Sequence, residues 1–386
     1  MTMDRSKWEY KKLGDICKSI NAGGTPSRGN SAYWNGDIPW VKIKDMNSKY
    51  VNSTEEFITD EGLNNSSAKL FEPDTILYSI FATIGAASIL KIPATTNQAI
   101  AGIVLGDGCD RDFYYYYLTS LKTHFENISK GVAQNNINLS VLRNQKVVVP
   151  PIEDQQRIVA ELDCLNEMIA VKQEQLKEFD KLAQSIFYDM FGDGLWEIRK
   201  IKDVATVKIG PFGSALHQSD YISGGTPLVN PVHMVNGTII ADNDFTVSGD
   251  KIVELLPYLL KTNDIVFGRR GDIGRCALVT ENESGYLCGT GSMFVRFTIN
   301  INPVYALKTL SSEETRKYLL DNAKGATMLN INGGIVENIE IPLPPLSLQQ
   351  QFADKISAIE AQKELVKQSI AETQTLLSYT MDKYFG

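Results

Sequence analysis

The chain has 386 residues, 43% hydrophobic and 22% charged, with a formal net charge of −8, the composition of a globular protein too long for one compact core. No run of 18 apolar residues occurs and the first twelve residues hold no apolar stretch, which argues against a membrane helix and a secretory signal. Five cysteines without a C-x-x-C pair argue against a disulfide framework or a zinc site, so a cytoplasmic protein with no membrane partner is expected.

Residues 1–151 read as a mixed α/β block. Short β-branched runs at Ile38–Ile43, Thr75–Ile80 and Lys146–Val149 predict strands, and Asp112–Ser129 predicts a helix. Tyr114 to Tyr117 point all round that helix, which makes them packing residues rather than a base-stacking platform. Residues 152–192 follow Pro150-Pro151 and contain no proline or glycine before Gly192. Within them Ile158, Leu162, Leu165, Ile169, Leu176 and Phe179 recur at a four-three spacing, continued by Ala183, Ile186 and Met190. That spacing is a coiled-coil seam. Residues 193–345 form a second mixed block, with strands expected at Asp264–Phe267, Ser292–Phe297 and Ile339–Leu343 and a helix at Glu313–Lys324. Residues 346–386 repeat the long helix, with its seam at Phe352, Ile356, Ile359, Val366, Ile370, Leu377 and Tyr384. Lys172 and Lys363 interrupt the seams, where a polar residue fixes register at some cost in stability. The alternative is two amphipathic helices, each packed on its own domain, but a helix of ~35 residues spans ~50 Å and outruns a small domain.

The chain is an internal repeat. Residues 131–192 fall on 325–386 at an offset of 194, matching Asn136-Ile137-Asn138 with Asn330-Ile331-Asn332, Pro150-Pro151 with Pro344-Pro345, and Gln155-Gln156 with Gln349-Gln350. The starts match at an offset of 188, Trp8-Glu9 with Trp196-Glu197. Between those ends only scattered pairs align, Asp74 with Asp264 and Gly85 with Gly274. A period this long is a duplicated domain with its tail, not a solenoid. The expected fold class is α+β: two mixed α/β domains, two long helices and an internal pseudo-twofold. The first helix must deliver the chain to the second domain and the second is free to return, so antiparallel pairing follows.

The charge is unevenly placed. Residues 1–151 carry 16 basic and 15 acidic groups, 152–192 carry 4 and 9, 193–345 carry 14 and 17, and 346–386 carry 4 and 5. Most of the excess negative charge lies on the helices, and the near-neutral blocks are compatible with weak DNA contact. Little points to catalysis. His124, His217 and His233 are far apart, and no P-loop or G-x-S-x-G elbow occurs. Asn230-Pro231-Val232-His233 is superficially similar to the Asn-Pro-Pro-aromatic loop of amino-methyltransferases, yet lacks the second proline, the aromatic and an upstream glycine-rich cofactor loop. Two glycine-rich loops at matching places, Gly23–Arg28 and Ile209–Ser214, read either as tight turns or as loops offering backbone N–H groups to a phosphate or base edge. If the blocks read DNA, the candidate contacts are Gly24, Thr25, Ser27, Arg28, Lys42, Lys44, Gln134 and Asn135 in the first half. In the second they are Ser214, His217, His233, Arg269 and Arg270.

Trp8, Leu13-Gly14-Asp15-Ile16, Gly23-Gly24-Thr25-Pro26-Ser27, Tyr33 to Trp40 and the twice-used Pro-Pro-aliphatic-x-x-Gln-Gln helix entry together resemble the specificity (S) subunit of type I restriction–modification systems. The second half departs at its opening, where Ile201-Lys202-Asp203-Val204 replaces Leu-Gly-Asp-Ile and no Gly-Gly-Thr-Pro-Ser or Tyr-Trp-Asn-Gly-Asp counterpart exists. The resemblance implies a non-catalytic subunit in which each block is a target recognition domain reading half of an asymmetric bipartite site in double-stranded DNA. It implies that the coiled coil sets the spacing and docks two modification (methyltransferase) subunits, with restriction subunits added. S-adenosylmethionine is then expected on those partners, and no cofactor or metal on this chain. The competing readings are a coiled-coil scaffold that binds proteins and a methyltransferase or nuclease with degenerate motifs.

Overall fold

The computed structural model describes residues 5–129, 136–192, 194–211, 215–323, 325 and 329–386. Contacts divide the chain into two compact units, Met1–Gln173 with Lys367–Gly386, and Glu174–Val366. Each unit thus holds one mixed block, part of the first long helix (Ile152–Phe191) and part of the second (Leu346–Phe385).

In the first unit, Glu9–Lys12 pairs antiparallel with Lys146–Val149, which brings both ends of the block to the root of the first long helix. A five-stranded sheet runs in the order Cys17–Ala22, Ile100–Leu105, Ile76–Ser79, Ala87–Leu90, Tyr50–Val51. Ile76 and Tyr78 face a core built with Phe113, Tyr114, Leu118 and Phe125, while Leu77 faces a second core with Val41, Val51 and Phe71. Burial on both faces is why Ile76-Leu77-Tyr78 reads as a continuous apolar run rather than an alternation. A smaller sheet, in the order Glu56–Ile58, Trp34–Val41, Thr95–Thr96, carries Trp34 and Trp40.

The second unit repeats this plan. Glu197–Lys200 pairs with Glu340–Leu343, and a four-stranded sheet orders Ala205–Ile209, Ser292–Phe297, Ile265–Gly268, Cys276–Leu278. Ile265 and Phe267 face one core and Val266 the other, the same alternation as in the first unit. The parallel pair Trp40–Thr95 and Val41–Thr96 has its counterpart in Leu228–Leu287 and Val229–Cys288.

The structure corrects two sequence readings. Asp74 stands opposite Asn263, not Asp264: both have positive φ (70° and 72°), and their N–H groups donate to the equivalent carbonyls of Leu90 and Val279. Thr75 is therefore the counterpart of Asp264. The stretch Asp112–Ser129 is two helices, Arg111–Ser120 and Lys122–Ser129. The hydroxyls of Thr119 and Ser120 donate to the carbonyls of Tyr115 and Tyr117 at the break, competing with the helix ladder. Gly224-Gly225-Thr226-Pro227 repeats the letters of Gly23–Pro26 but is not its counterpart: it lies in the register of Gly36–Pro39, and Pro227 stands where Pro39 does.

Ala82 holds φ +61° where the second unit has Gly271 at +76°. A Cβ is strained there, and Ala82→Gly is expected to stabilise the protein by about 0.5–1 kcal/mol, read as a raised midpoint in denaturant.

The long helices run antiparallel within each unit. In the first, the Tyr384 hydroxyl donates to Glu161 at 2.5 Å and Lys172 Nζ to Thr373 Oγ1 at 2.9 Å. In the second, Lys363 pairs with Asp180 at 2.7 Å, and the rings of Phe191 and Phe352 lie 5.3 Å apart. Every expected seam residue is buried or half-buried. The interrupting lysines cross to the opposite helix and are satisfied there. Thr373 and Thr380 are also buried seam positions, which an apolar pattern does not reveal.

Candidate nucleic-acid interface

In the first unit the glycine-rich loop is clasped to the small sheet. Gly23 and Gly24 are buried, and a Cβ on them would lie 2.0 Å from Thr96 Oγ1 and 2.4 Å from the Ala68 nitrogen. Only glycine permits that approach. Trp40 Nε1 donates to the Gly24 carbonyl at 3.0 Å and Trp34 Nε1 to that of Ser27 at 3.1 Å, with the two indoles edge to face at 5.1 Å. The motifs 23–27 and 33–40 are thus two halves of one clasp.

What the clasp leaves at the surface is Thr25, Ser27 and Arg28. The Arg28 guanidinium lies 3.7 Å over the Trp34 ring and pairs with Glu56 at 2.5 Å. Lys42 pairs with Glu56 and Lys44 with Glu55. These cations hold both carboxylates below their ordinary pKa, Glu56 through Lys42 first and Arg28 next, Glu55 through Lys44. Arg28, Lys42 and Lys44 therefore converge on one surface together with Glu55 and Glu56, which sequence reasoning missed. Gln134 and Asn135 lie outside the described residues. Beside them Ile137 donates its N–H to the Ile80 carbonyl and Asn136 bridges Phe81.

The second unit presents different side chains on the same backbone. Gly210 repeats the close approach of Gly23, its Cβ position lying 2.0 Å from the Gly289 oxygen. Ser214 lies outside the described residues. His217 is exposed and opens a 3-10 turn, its N–H donating to Asp220. His233 is buried, and its Nδ1 accepts the Asn230 N–H at 3.1 Å, where Asp45 of the first unit accepts the Lys42 N–H at 2.7 Å. Its imidazole is a turn cap. Arg269 is 8% exposed and donates to Asn330 Oδ1 at 3.3 Å, and burial together with the charge of Arg270 holds its pKa below the usual arginine value. Of this pair, Arg270 is the exposed member.

Two buried glutamines explain the repeated helix entry. Gln155 Nε2 donates to the carbonyls of Pro150 and Gly108, and its Oε1 accepts the Asp110 N–H at 2.7 Å. Gln349 does the same with Pro344 and the Asn302 N–H. Each ties a domain to its helix. Above the first of these joints, Lys49 Nζ lies 2.8 Å from Asp112 and 2.7 Å from Asp163. Burial disfavours its charge, yet hydrogen bonds to the two carboxylates carry its pKa above the ordinary lysine value.

Burial pushes the thiols of Cys17 and Cys276 up to about 12, so neither is a thiolate nucleophile near neutrality. Among the described residues no His, Cys, Asp and Glu cluster is arranged to hold a metal, and no helix is long and apolar enough to cross a membrane.

A family model described as the type I restriction modification DNA specificity domain matches twice, over residues 5–179 and 194–374. The chain is 27% identical over 372 residues to the type I restriction enzyme MjaIX specificity subunit of Methanocaldococcus jannaschii, covering 89% of this chain and 85% of that one. It is 32% identical over 204 residues to the EcoR124I/EcoR124II specificity subunit of Escherichia coli, about half of each chain. Among solved structures, a chain from work on complex assembly and conformational transition of the type I R-M system superposes with a TM-score of 0.66 at 18% identity, covering 98% of this chain and 97% of that one. The S subunit of M. genitalium does so at 0.51 and 14%, covering 100% and 98%.

Proposed function

Since this chain belongs to the type I restriction–modification DNA specificity family, we propose that it is the non-catalytic subunit through which a type I complex recognises its DNA. Each mixed block reads one half of an asymmetric bipartite site. The observation that carries this reading is divergence on a shared backbone. The turn Ile43–Asp45 and its counterpart Pro231–His233 hold equivalent places, yet one is preceded by Lys42, which shares Glu56 with Arg28, the other by Asn230, whose N–H donates to His233 and whose Oδ1 accepts the Gly291 N–H. Equal scaffolds with unequal donors and acceptors suit the reading of two different base sequences.

Two modification subunits dock on the paired helices, whose outer faces expose Met168, Val171, Leu376 and Tyr379 in the first unit, with restriction subunits added to that core. S-adenosylmethionine and adenine methylation belong to those partners, and the assembly is cytoplasmic. The near-neutral blocks bind DNA weakly alone, and the partners supply the remaining phosphate contacts.

The test is to reconstitute the full chain with its modification subunits and sequence the methylated adenines. Two unlike half-sites with centres roughly one helical turn, ~10 bp, apart are expected. A continuous or perfectly palindromic motif overturns the reading.

A further inference from the structure

We propose that Lys49 is a positioning residue that sets the permitted spacing between the two half-sites, by locking the angle at which the first recognition domain is carried on its long helix. The inference rests on the bipartite reading above.

Lys49 sits between the turn Ile43–Asp45 and the strand Tyr50–Val51, in the body of the domain. Its ammonium joins two carboxylates from other elements, Asp112 at the start of Arg111–Ser120 and Asp163 on the first long helix. The cluster is closed by its neighbours. The Tyr116 hydroxyl donates to Asp163 at 2.5 Å, Asn166 Nδ2 to the Tyr116 hydroxyl at 3.2 Å, and the Tyr50 hydroxyl to Asp112 at 3.1 Å. Lys49 and Asp112 have side-chain exposures of only 18% and 16%. A largely buried, charge-assisted cluster of this kind adds little net stability, but it is directional: it holds one relative pose of the groups that make it.

Among the described residues the second unit has no ion cluster at the equivalent positions. The equivalent backbone positions carry Gly237 for Lys49, Val304 for Asp112, Lys308 for Tyr116 and Ser357 for Asp163. In place of the ion cluster lies an open cleft of about 490 Å³, lined by residues including Gly237, Lys308, Arg316 and Glu360. There the domain meets its helices through the apolar cluster of Tyr305, Phe191 and Phe352, the Gln349 tie and an exposed hydrogen bond from the Tyr188 hydroxyl to Glu314 at 3.0 Å, with no buried ammonium joining domain and helix at this place among the described residues. Both domains are tied to their helices, but only the first by an ion cluster at these positions.

Adding one base pair between half-sites displaces a half-site by ~3.4 Å and rotates it by roughly 34°. A pinned domain cannot follow that motion. Without Lys49, Asp112 and Asp163 lose their shared cation, and the joint between domain and helix loosens.

The experiment uses the full chain reconstituted with its modification subunits and duplexes carrying both half-sites at the preferred spacer and at one or two base pairs more or fewer. Wild type should bind off-length duplexes at least about tenfold more weakly than the preferred one, a gap of ~1.4 kcal/mol. Lys49→Met should shrink that ratio to about threefold or less, and Asp163→Asn, at the half-exposed end of the cluster, should shrink it with the fold intact by thermal unfolding. A residue that only stabilised the domain would weaken binding at every spacer alike. Lys44→Ala, an exposed cation on the same domain, should do that and leave the ratio unchanged. If wild type shows no spacer preference, the bipartite reading fails. If wild type discriminates and both variants discriminate equally well, the role of Lys49 is overturned.

Discussion

Arg296→Val should lower the stability of the second unit by about 3–5 kcal/mol, a loss on the scale of breaking one side of a buried ion pair. Asp264 is 1% exposed, and Arg296 meets it with two parallel hydrogen bonds, Nε to Oδ1 at 2.7 Å and Nη2 to Oδ2 at 2.6 Å. The same guanidinium donates to the Leu259 carbonyl, while Asp264 accepts the Lys261 N–H. Valine leaves the carboxylate in the core with that N–H as its remaining partner. The first unit shows how the site can be built without charge, since its equivalent residues are Thr75 and Val104. Thr75 turns its hydroxyl to the Glu72 carbonyl at 2.7 Å instead. Asp264→Thr combined with Arg296→Val should therefore recover much of the loss, because replacing both partners removes the unpaired charge. Thermal unfolding of the full chain measures this. The single variant should lower one transition by roughly 10 °C, and a double variant no better than the single would refute the account.

Gln155→Leu comes next in size, at about 3 kcal/mol. Gln155 is fully buried, and leucine strands the carbonyls of Pro150 and Gly108 and the N–H of Asp110, each at roughly 1–3 kcal/mol when unsatisfied, less whatever relaxation recovers. Its neighbour Gln156 is exposed, so Gln156→Leu should change stability by less than about 0.5 kcal/mol. Denaturant titration of the two variants side by side checks the assignment, and equal effects would show that the pair acts only as a helix surface. The same contrast is expected between Gln349 and Gln350.

Those glutamines mark what is legible in the sequence. The doubled Asn-Ile-Asn is visible because its work is local: Asn138 and Asn332 cap the helices that follow them, and Ile137 and Ile331 fill the core just before. Pro-Pro followed by Gln-Gln is visible because both units make the same joint, although the bonds of Gln155 to Gly108 and Asp110 reach far along the chain. The long seams are visible because their period is set by the helix itself. The middles of the two blocks are not, since equivalent backbone is held by unlike chemistry. An Asp45 carboxylate and a His233 imidazole cap equivalent turns, and Lys49 and Thr75 of the first unit are replaced by Gly237 and Asp264 in the second. The basic candidates Arg28, Lys42 and Lys44 were readable from charge alone. Their convergence with Glu55 and Glu56 was not, because it depends on the pairing of Trp34–Val41 with Glu56–Ile58 and on a register shift between Trp34 and Ile38. His233 and Arg269 read as surface candidates, and only the packing around Phe245 and Asn330 reveals that both are buried.

The first unit takes Tyr384 into its core, with Leu377, Met381 and Phe385 packed against it, and Phe385 lies against the rings of Phe113 and Tyr117. Synthesis proceeds from the N-terminus, so the ribosome makes this block early and its closing residues about 190 positions after Gln173. At ~5–20 residues per second the wait is roughly 10–40 s. Until then the rings of Phe113 and Tyr117 lack the Phe385 ring that packs on them. The block that is translated first is the one that finishes folding last.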